Sequence, residues 1–207
     1  MTDHPAGPST DELVWYAAFG SNLLPSRLGA YLGGGRPPGS RRTYSGGRDA
    51  APPRDSRTVT LPGRLHFGGL STVWGGGLAF YEPGPTGSVH GRAYLISFGQ
   101  FSDLVAQEAR RSVGTDLMLA SDGHTYHGLS VIYDAVVPVG DLDGRPMLTL
   151  TTTAVHPDNA PSAAYVRVIM AGLADGFGLT DAERVDYLLA AGGVRPTWTR
   201  EGLAKLL

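Results

Sequence analysis

Glu108 is the residue of this chain whose setting points most directly to chemistry. A helix is expected over about Ser102–Val113. At roughly 100° per residue, Leu104, Val105 and Glu108 share one stripe of it, and Asp103, Gln107 and Arg110 gather opposite. An ionised carboxylate on an apolar face needs a partner, or it gives up its charge. Burial raises its pKa, and a carboxylate titrating nearer neutrality suits general acid/base work. A structural ion pair, or a helix rotated enough to expose the group, would leave the same pattern. A second signal is Phe19-Gly20-Ser21-Asn22, a turn between an apolar run and a helix start. Backbone N–H groups at such a turn can face an anion or a developing oxyanion. An ordinary capped helix start has the same composition.

Other chemistries lack their residues. Cysteine is absent, which removes thiol nucleophiles, Cys-ligated zinc and disulfides together. Lys205, close to the end of the sequence, is the only lysine among the 17 basic residues. No G-x-S-x-G elbow, phosphate-binding P-loop or dinucleotide fingerprint occurs. The one close histidine pair, His124 and His127, stands in turn-like sequence with a single Asp beside it and reads better as loop than as a metal site. The expectation is therefore no metal and no cofactor.

Elements must bring Glu108 and the turn together. Leu13–Phe19 reads as a buried strand, followed by a helix over about Leu24–Leu32 with Ser21 or Asn22 as cap and Pro25 in its first turn. Residues 33–57 have turn chemistry and no hydrophobic period, and set six Arg against Asp49 and Asp55. A stretch of that kind is a functional loop or a solvated, disordered insertion. β-like runs follow at 58–67, 70–81 and 89–96, and again at 129–137 and 147–155. Helices are expected at 162–177, at 181–191 behind a Thr180/Glu183 capping box, and over 199–207. The fold class is α+β, a small mixed β-barrel of five to six strands with flanking helices, in one domain over 13–207 behind a disordered tail at 1–12.

With 42% hydrophobic and 17% charged residues, the chain has material for a core. A net charge of −2 recruits neither nucleic acid nor an anionic membrane, and the Arg-rich stretch has only Tyr44 to offer a base. No apolar run reaches the roughly 18–20 residues of a membrane span, and the polar start resembles no signal peptide. A cytoplasmic protein is expected, with no membrane or nucleic-acid partner.

Four blocks in one order resemble the gamma-glutamylcyclotransferase-like family. Trp15-Tyr16-Ala17-Ala18-Phe19-Gly20-Ser21-Asn22-Leu23 is similar to its Y-F-A-Y-G-S-N-L signature. Trp74-Gly75-Gly76-Gly77-Leu78-Ala79 resembles its W-x-G-G-[IL]-A strand. Val89-His90-Gly91-Arg92-Ala93-Tyr94 with Gln107-Glu108 resembles its V-x-G-x-x-[YW] strand and Q-E helix. Pro161-Ser162 with Tyr165, Ile169, Gly172 and Gly178-Leu179 resembles its P-S-x-x-Y segment. The resemblance covers nearly the whole chain.

The resemblance implies an internal transamidation in which the α-amine of a γ-glutamyl group attacks its own γ-amide, releasing 5-oxoproline and an amine or amino acid. It assigns Glu108 as general acid/base, and Tyr16, Phe19, Gly20, Ser21, Asn22 and Tyr165 to substrate binding. The expected partner is a small γ-glutamyl substrate, from glutathione metabolism or a biosynthetic pathway using a γ-glutamyl protecting group, with a homodimer compatible. Phe19 replaces the family's usual tyrosine, Ala109 stands where glycine often follows the glutamate, and the Arg-rich loop is long. These departures bear on substrate identity more than on fold. An amidohydrolase with Glu108 activating water, and a non-catalytic binder of an anionic metabolite, are the alternatives.

Overall fold

A computed structural model describes residues 8–37, 40–119, 126–127, 130 and 132–207. Strand β1, Leu13–Ala18, is covered on both faces. Val14, Tyr16 and Ala18 pack with Leu28, Phe101 and Leu104, whereas Trp15 and Ala17 pack with Ile169, Met170 and Leu173. A strand enclosed on both sides needs no polar alternation, hence its unbroken apolar run. Each Leu or Phe so enclosed is worth about 1.5–3 kcal/mol of transfer free energy.

Around β1 the sheet runs β2-β3-β1-β6-β5-β4, with β2 Asp55–Ser71, β3 Gly76–Ser97, β4 Tyr126–His127, β5 Ala135–Leu142 and β6 Arg145–Thr151. β1 is antiparallel to β3, Tyr16 facing Tyr94, and parallel to β6, Tyr16 facing Leu148. The remaining pairs are antiparallel, so the sheet is mixed, with six strands among the described residues, within the expected α+β class. It curls toward a barrel: Thr151 Oγ1 on β6 donates to the Tyr81 carbonyl on β3 (2.5 Å) and accepts from the Tyr81 amide (3.2 Å).

The three runs expected over 58–96 are two long strands. The turn falls at 72–75, and β3 continues through Pro83 and Pro85, across the gap between the runs expected at 70–81 and 89–96. Those prolines are tolerated because β1 pairs only with the Arg92–Ser97 part of β3, leaving no second ladder to interrupt there. The strand expected at 129–137 lies later, as β5; residue 129 itself is outside the described residues.

Helix α1, Pro25–Gly33, opens on Pro25 as expected, but neither Ser21 nor Asn22 caps it. A short 3-10 turn, Ser21–Leu23, intervenes, and the Asn22 side chain is engaged elsewhere. Helix α2, Phe98–Glu108, starts four residues before the expected Ser102 because Ser97 and Gln100 form a capping box. It stops at Glu108 rather than Val113: Arg110 turns left-handed (φ 58°), with Arg111 N–H donating to Ala106 O and Arg110 N–H to Gln107 O. That is a Schellman ending. Helices α3 Ala163–Phe177, α4 Asp181–Ala190 and α5 Arg200–Ala204 follow, with the Thr180/Glu183 box in place.

The described part of the 33–57 stretch is tied to α2. Arg48 pairs with the buried Asp103 carboxylate (3.0 Å), Gln100 Nε2 donates to Ala51 O (2.9 Å), and Tyr44 is buried. Asp103 and Gln107, assigned to the far side of the helix from its apolar stripe, are buried beneath this loop. The Thr10 and Glu12 carbonyls accept from Gly99 and Phe98 N–H, and residues 1–7 of the expected tail lie outside the described residues. Among the described residues, no helix is long and apolar enough to cross a membrane.

Candidate active site

Tyr16, Phe19, Gly20, Ser21, Asn22, Glu108 and Tyr165 all line one narrow cleft of about 30 Å³. Tyr16 reaches it from β1, the Gly20–Asn22 turn from the end of the same strand, Glu108 from the last residue of α2 and Tyr165 from the first turn of α3. Tyr133 and Leu150 complete the wall. The first amides of a helical turn have no partner within it, and the Ser21 N–H here faces the Tyr165 hydroxyl.

Glu108 is half-buried, and loss of hydration raises its pKa above the ordinary glutamate value. A hydrogen bond from Tyr31 and the charges of Arg42 and Arg27 pull the other way. The Tyr31 contact begins a chain. Tyr31 Oη lies 3.1 Å from Tyr44 Oη, and Arg27 Nη2 donates to Tyr44 Oη at 3.0 Å. A hydroxyl carries one proton, so when Tyr31 gives its proton to ionised Glu108, Tyr44 donates to Tyr31 and Arg27 donates to Tyr44. The permanent charge of Arg27 polarises all three links toward the carboxylate. The arrangement can hold Glu108 ionised and oriented, yet close enough to neutrality to exchange protons.

Arg27 is itself buried, with Nε and Nη1 lacking hydrogen-bond partners among the described residues, and its guanidinium lies over Trp74 (4.9 Å) and Tyr44 (5.5 Å). Trp74 in turn stacks on Tyr165 (5.0 Å, 14°). Asn22 donates from Nδ2 to Tyr16 Oη (3.1 Å), and its Oδ1 has no partner among the described residues. The turn thus carries spare polar capacity beside the carboxylate.

Two glycines permit this assembly. A Cβ on Gly20 would lie 2.8 Å from Tyr165 Oη, so glycine lets the phenol reach the turn. One on Gly172 would lie 2.6 Å from Leu23 Cβ and 2.9 Å from Leu24 N, so glycine seats α3 directly on the turn's far side. Burial raises the Tyr165 and Tyr16 pKa values, keeping both as neutral hydroxyls that can donate or accept.

Arg27, Tyr31, Tyr44, Tyr133 and Leu150 are additions to the expected set. Arg27 and Tyr31 sit four apart on the buried face of α1, so the stripe test applied to Glu108 also flags Arg27. Tyr44 and Tyr133 lie in irregular chain, where no periodicity marks them. His124 is outside the described residues, and of His127 only the backbone is described. Among the described residues, no group of three or more His, Asp or Glu could hold a metal ion.

No protein-family model matches the chain. Over 198 residues it is 33% identical to Histone deacetylase 5 of Arabidopsis thaliana, covering 84% of this chain and 30% of that protein. Over 193 residues it is 27% identical to Gamma-glutamyl cyclotransferase aclK of Aspergillus oryzae, covering 80% of this chain and 57% of that protein. The chain therefore spans less than two thirds of either relative. Among solved structures, a Gamma-glutamyl cyclotransferase superposes with TM-score 0.54 at 19% identity, over 94% of this chain and 99% of that one. An uncharacterized protein from Homo sapiens superposes with TM-score 0.55 over the same shares, also at 19% identity. By this likeness the chain has the fold of these solved structures, a gamma-glutamyl cyclotransferase among them.

Proposed function

We propose that the chain is a gamma-glutamyl cyclotransferase acting on a γ-glutamyl amine or amino acid in the cytoplasm. The observation that carries this reading is the sharing of one cleft by the Glu108 carboxylate and the Gly20–Asn22 turn. The nucleophile and the electrophile belong to one substrate molecule, so the reaction asks for no metal, cofactor or protein nucleophile. What it asks for is a folded substrate and managed protons. Effective concentrations for a well-aligned ring closure reach on the order of 10⁵–10⁸ M.

In this reading the turn amides hold the substrate carboxylate or the developing oxyanion, and Tyr16 and Tyr165 close the pocket around the glutamyl chain. The substrate α-amine gives a proton to Glu108 as its nitrogen bonds the γ-carbon. The resulting tetrahedral centre collapses, the C–N bond to the leaving amine breaks, and Glu108 returns the proton to that nitrogen. The products are 5-oxoproline and the free amine, and Glu108 is ionised again. General acid/base help of this kind is worth about 10²–10⁴-fold.

Water in place of the α-amine would make the same site an amidohydrolase and release glutamate. Product analysis by mass spectrometry after incubation with γ-glutamyl amino acids separates the two. The cyclotransferase reading predicts 5-oxoproline as the primary product. Glutamate alone would replace it with hydrolysis, and ligand-induced stabilisation with neither product would replace it with a binding role.

A further inference from the structure

We propose that a second cleft beside Glu108 receives the leaving group, and that this leaving group carries a further anionic group in addition to its α-carboxylate; the inference rests on the cyclotransferase reading above. The cleft, of about 450 Å³, is lined by Arg41, Arg42, Arg110 and Arg111, and it also borders Gln107, the residue before Glu108. Among the described residues, no carboxylate lines it. The four arginines come from two segments: Arg41 and Arg42 from the loop after α1, Arg110 and Arg111 from the turn that ends α2.

The cleft is built rather than incidental. Arg42 Nη2 donates to Gln107 O at 2.7 Å, and its guanidinium lies 4.8 Å from the Tyr44 ring centre. Arg110 donates to Thr72 and holds the left-handed position of the Schellman ending, a place that favours glycine. A charged side chain therefore stands at the cleft where backbone conformation alone would select none. Among the described residues, Arg41, Arg42 and Arg110 form no ion pair. Converging cations without counter-charge concentrate an attractive field for anions. A lone α-carboxylate is satisfied by one bidentate guanidinium. The three guanidiniums of Arg41, Arg42 and Arg110 around this volume match a leaving group with a second carboxylate or a phosphate.

The test compares kcat/KM for 5-oxoproline release from γ-glutamyl-alanine, γ-glutamyl-aspartate and γ-glutamyl-O-phosphoserine. At least one of the two extra-charged substrates is expected to lead alanine by about tenfold, chiefly through KM, and to lose that lead in high salt because the cleft is open. The aspartate and phosphoserine arms separate carboxylate from phosphate. Arg41→Gln and Arg110→Gln should each lower the preference, and the double variant should bring it near one at unaltered melting temperature. Equal kcat/KM for all three substrates in the native protein overturns the proposal while leaving cyclisation standing. If none of the three is turned over, the cyclotransferase reading fails instead. Calorimetry with aspartate and inorganic phosphate then decides the cleft alone: binding lost in the double variant supports an anion site, and no binding overturns it.

Discussion

The Tyr31 hydroxyl hydrogen-bonds the Glu108 carboxylate, joining the last turn of α1 to the last residue of α2. Burial pushes the Glu108 pKa up, whereas this bond and the Arg27 charge behind it push it down. Replacing Tyr31 by Phe removes the bond and cuts Tyr44 and Arg27 off from the carboxylate. The acid limb of the kcat/KM profile should then move to higher pH, with a loss of about tenfold at neutral pH, as expected for a charge-assisted hydrogen bond worth about 1.5–3 kcal/mol. A pH–rate profile checks it, since a merely structural loss would lower the curve without shifting its limb.

Glu108→Gln should cost about 10²–10⁴-fold in kcat. Its stability carries an independent signature. The folded-state pKa of Glu108 is raised, so as pH rises the unfolded chain releases this proton first. Between the ordinary glutamate value and the raised one the native state holds more protons, and its stability falls as pH rises. Glutamine does not ionise. The variant should therefore match or exceed the native protein in melting temperature at neutral pH, and the difference should shrink below the ordinary glutamate pKa. Thermal unfolding at several pH values measures this.

Gly20→Ala places a methyl 2.8 Å from the Tyr165 hydroxyl. Overpacking of this kind costs about 1–3 kcal/mol, and displacement of Tyr165 should lower turnover as well. Removing the obstructing oxygen in Gly20→Ala/Tyr165→Phe should restore part of the stability. A double-mutant cycle in denaturant gives the coupling between the two sites.

Among the described residues, Arg48→Ala leaves the buried Asp103 carboxylate with only the Arg48 and Gly114 backbone amides as donors. The pair is partly open to solvent on the arginine side, so a loss of about 1–3 kcal/mol is expected. The 40–54 loop should also become more susceptible to proteolysis. Limited digestion of native and variant protein distinguishes this local release from global destabilisation.

Where a periodic pattern existed, the sequence was informative. The apolar run of β1, the Thr180/Glu183 box and the stripe position of Glu108 each reflect one local rule, and β1 and α4 form where that rule puts them. Boundaries moved where side chains override pattern: the Ser97/Gln100 box pulls α2 forward, and the left-handed Arg110 ends it early. Strand β3 crosses its prolines because they face no second partner strand. Tyr44 and Tyr133 were invisible because they lie in irregular chain brought in from a distance; the Arg-rich stretch stood out in the sequence, but its convergence with Arg110 and Arg111 depends on the same long-range packing. Burial of Asp103 and Gln107 followed from that same loop, which no helical period can report.

The central claim is that Glu108 moves a proton during closure of a γ-glutamyl group onto its own amine. The most direct measurement is the rate of 5-oxoproline release from a γ-glutamyl amino acid by the native protein and by Glu108→Gln, with both shown to be folded by thermal unfolding. The account predicts release by the native protein and a fall of at least about 10²-fold in the variant. Equal rates in the two proteins would contradict it.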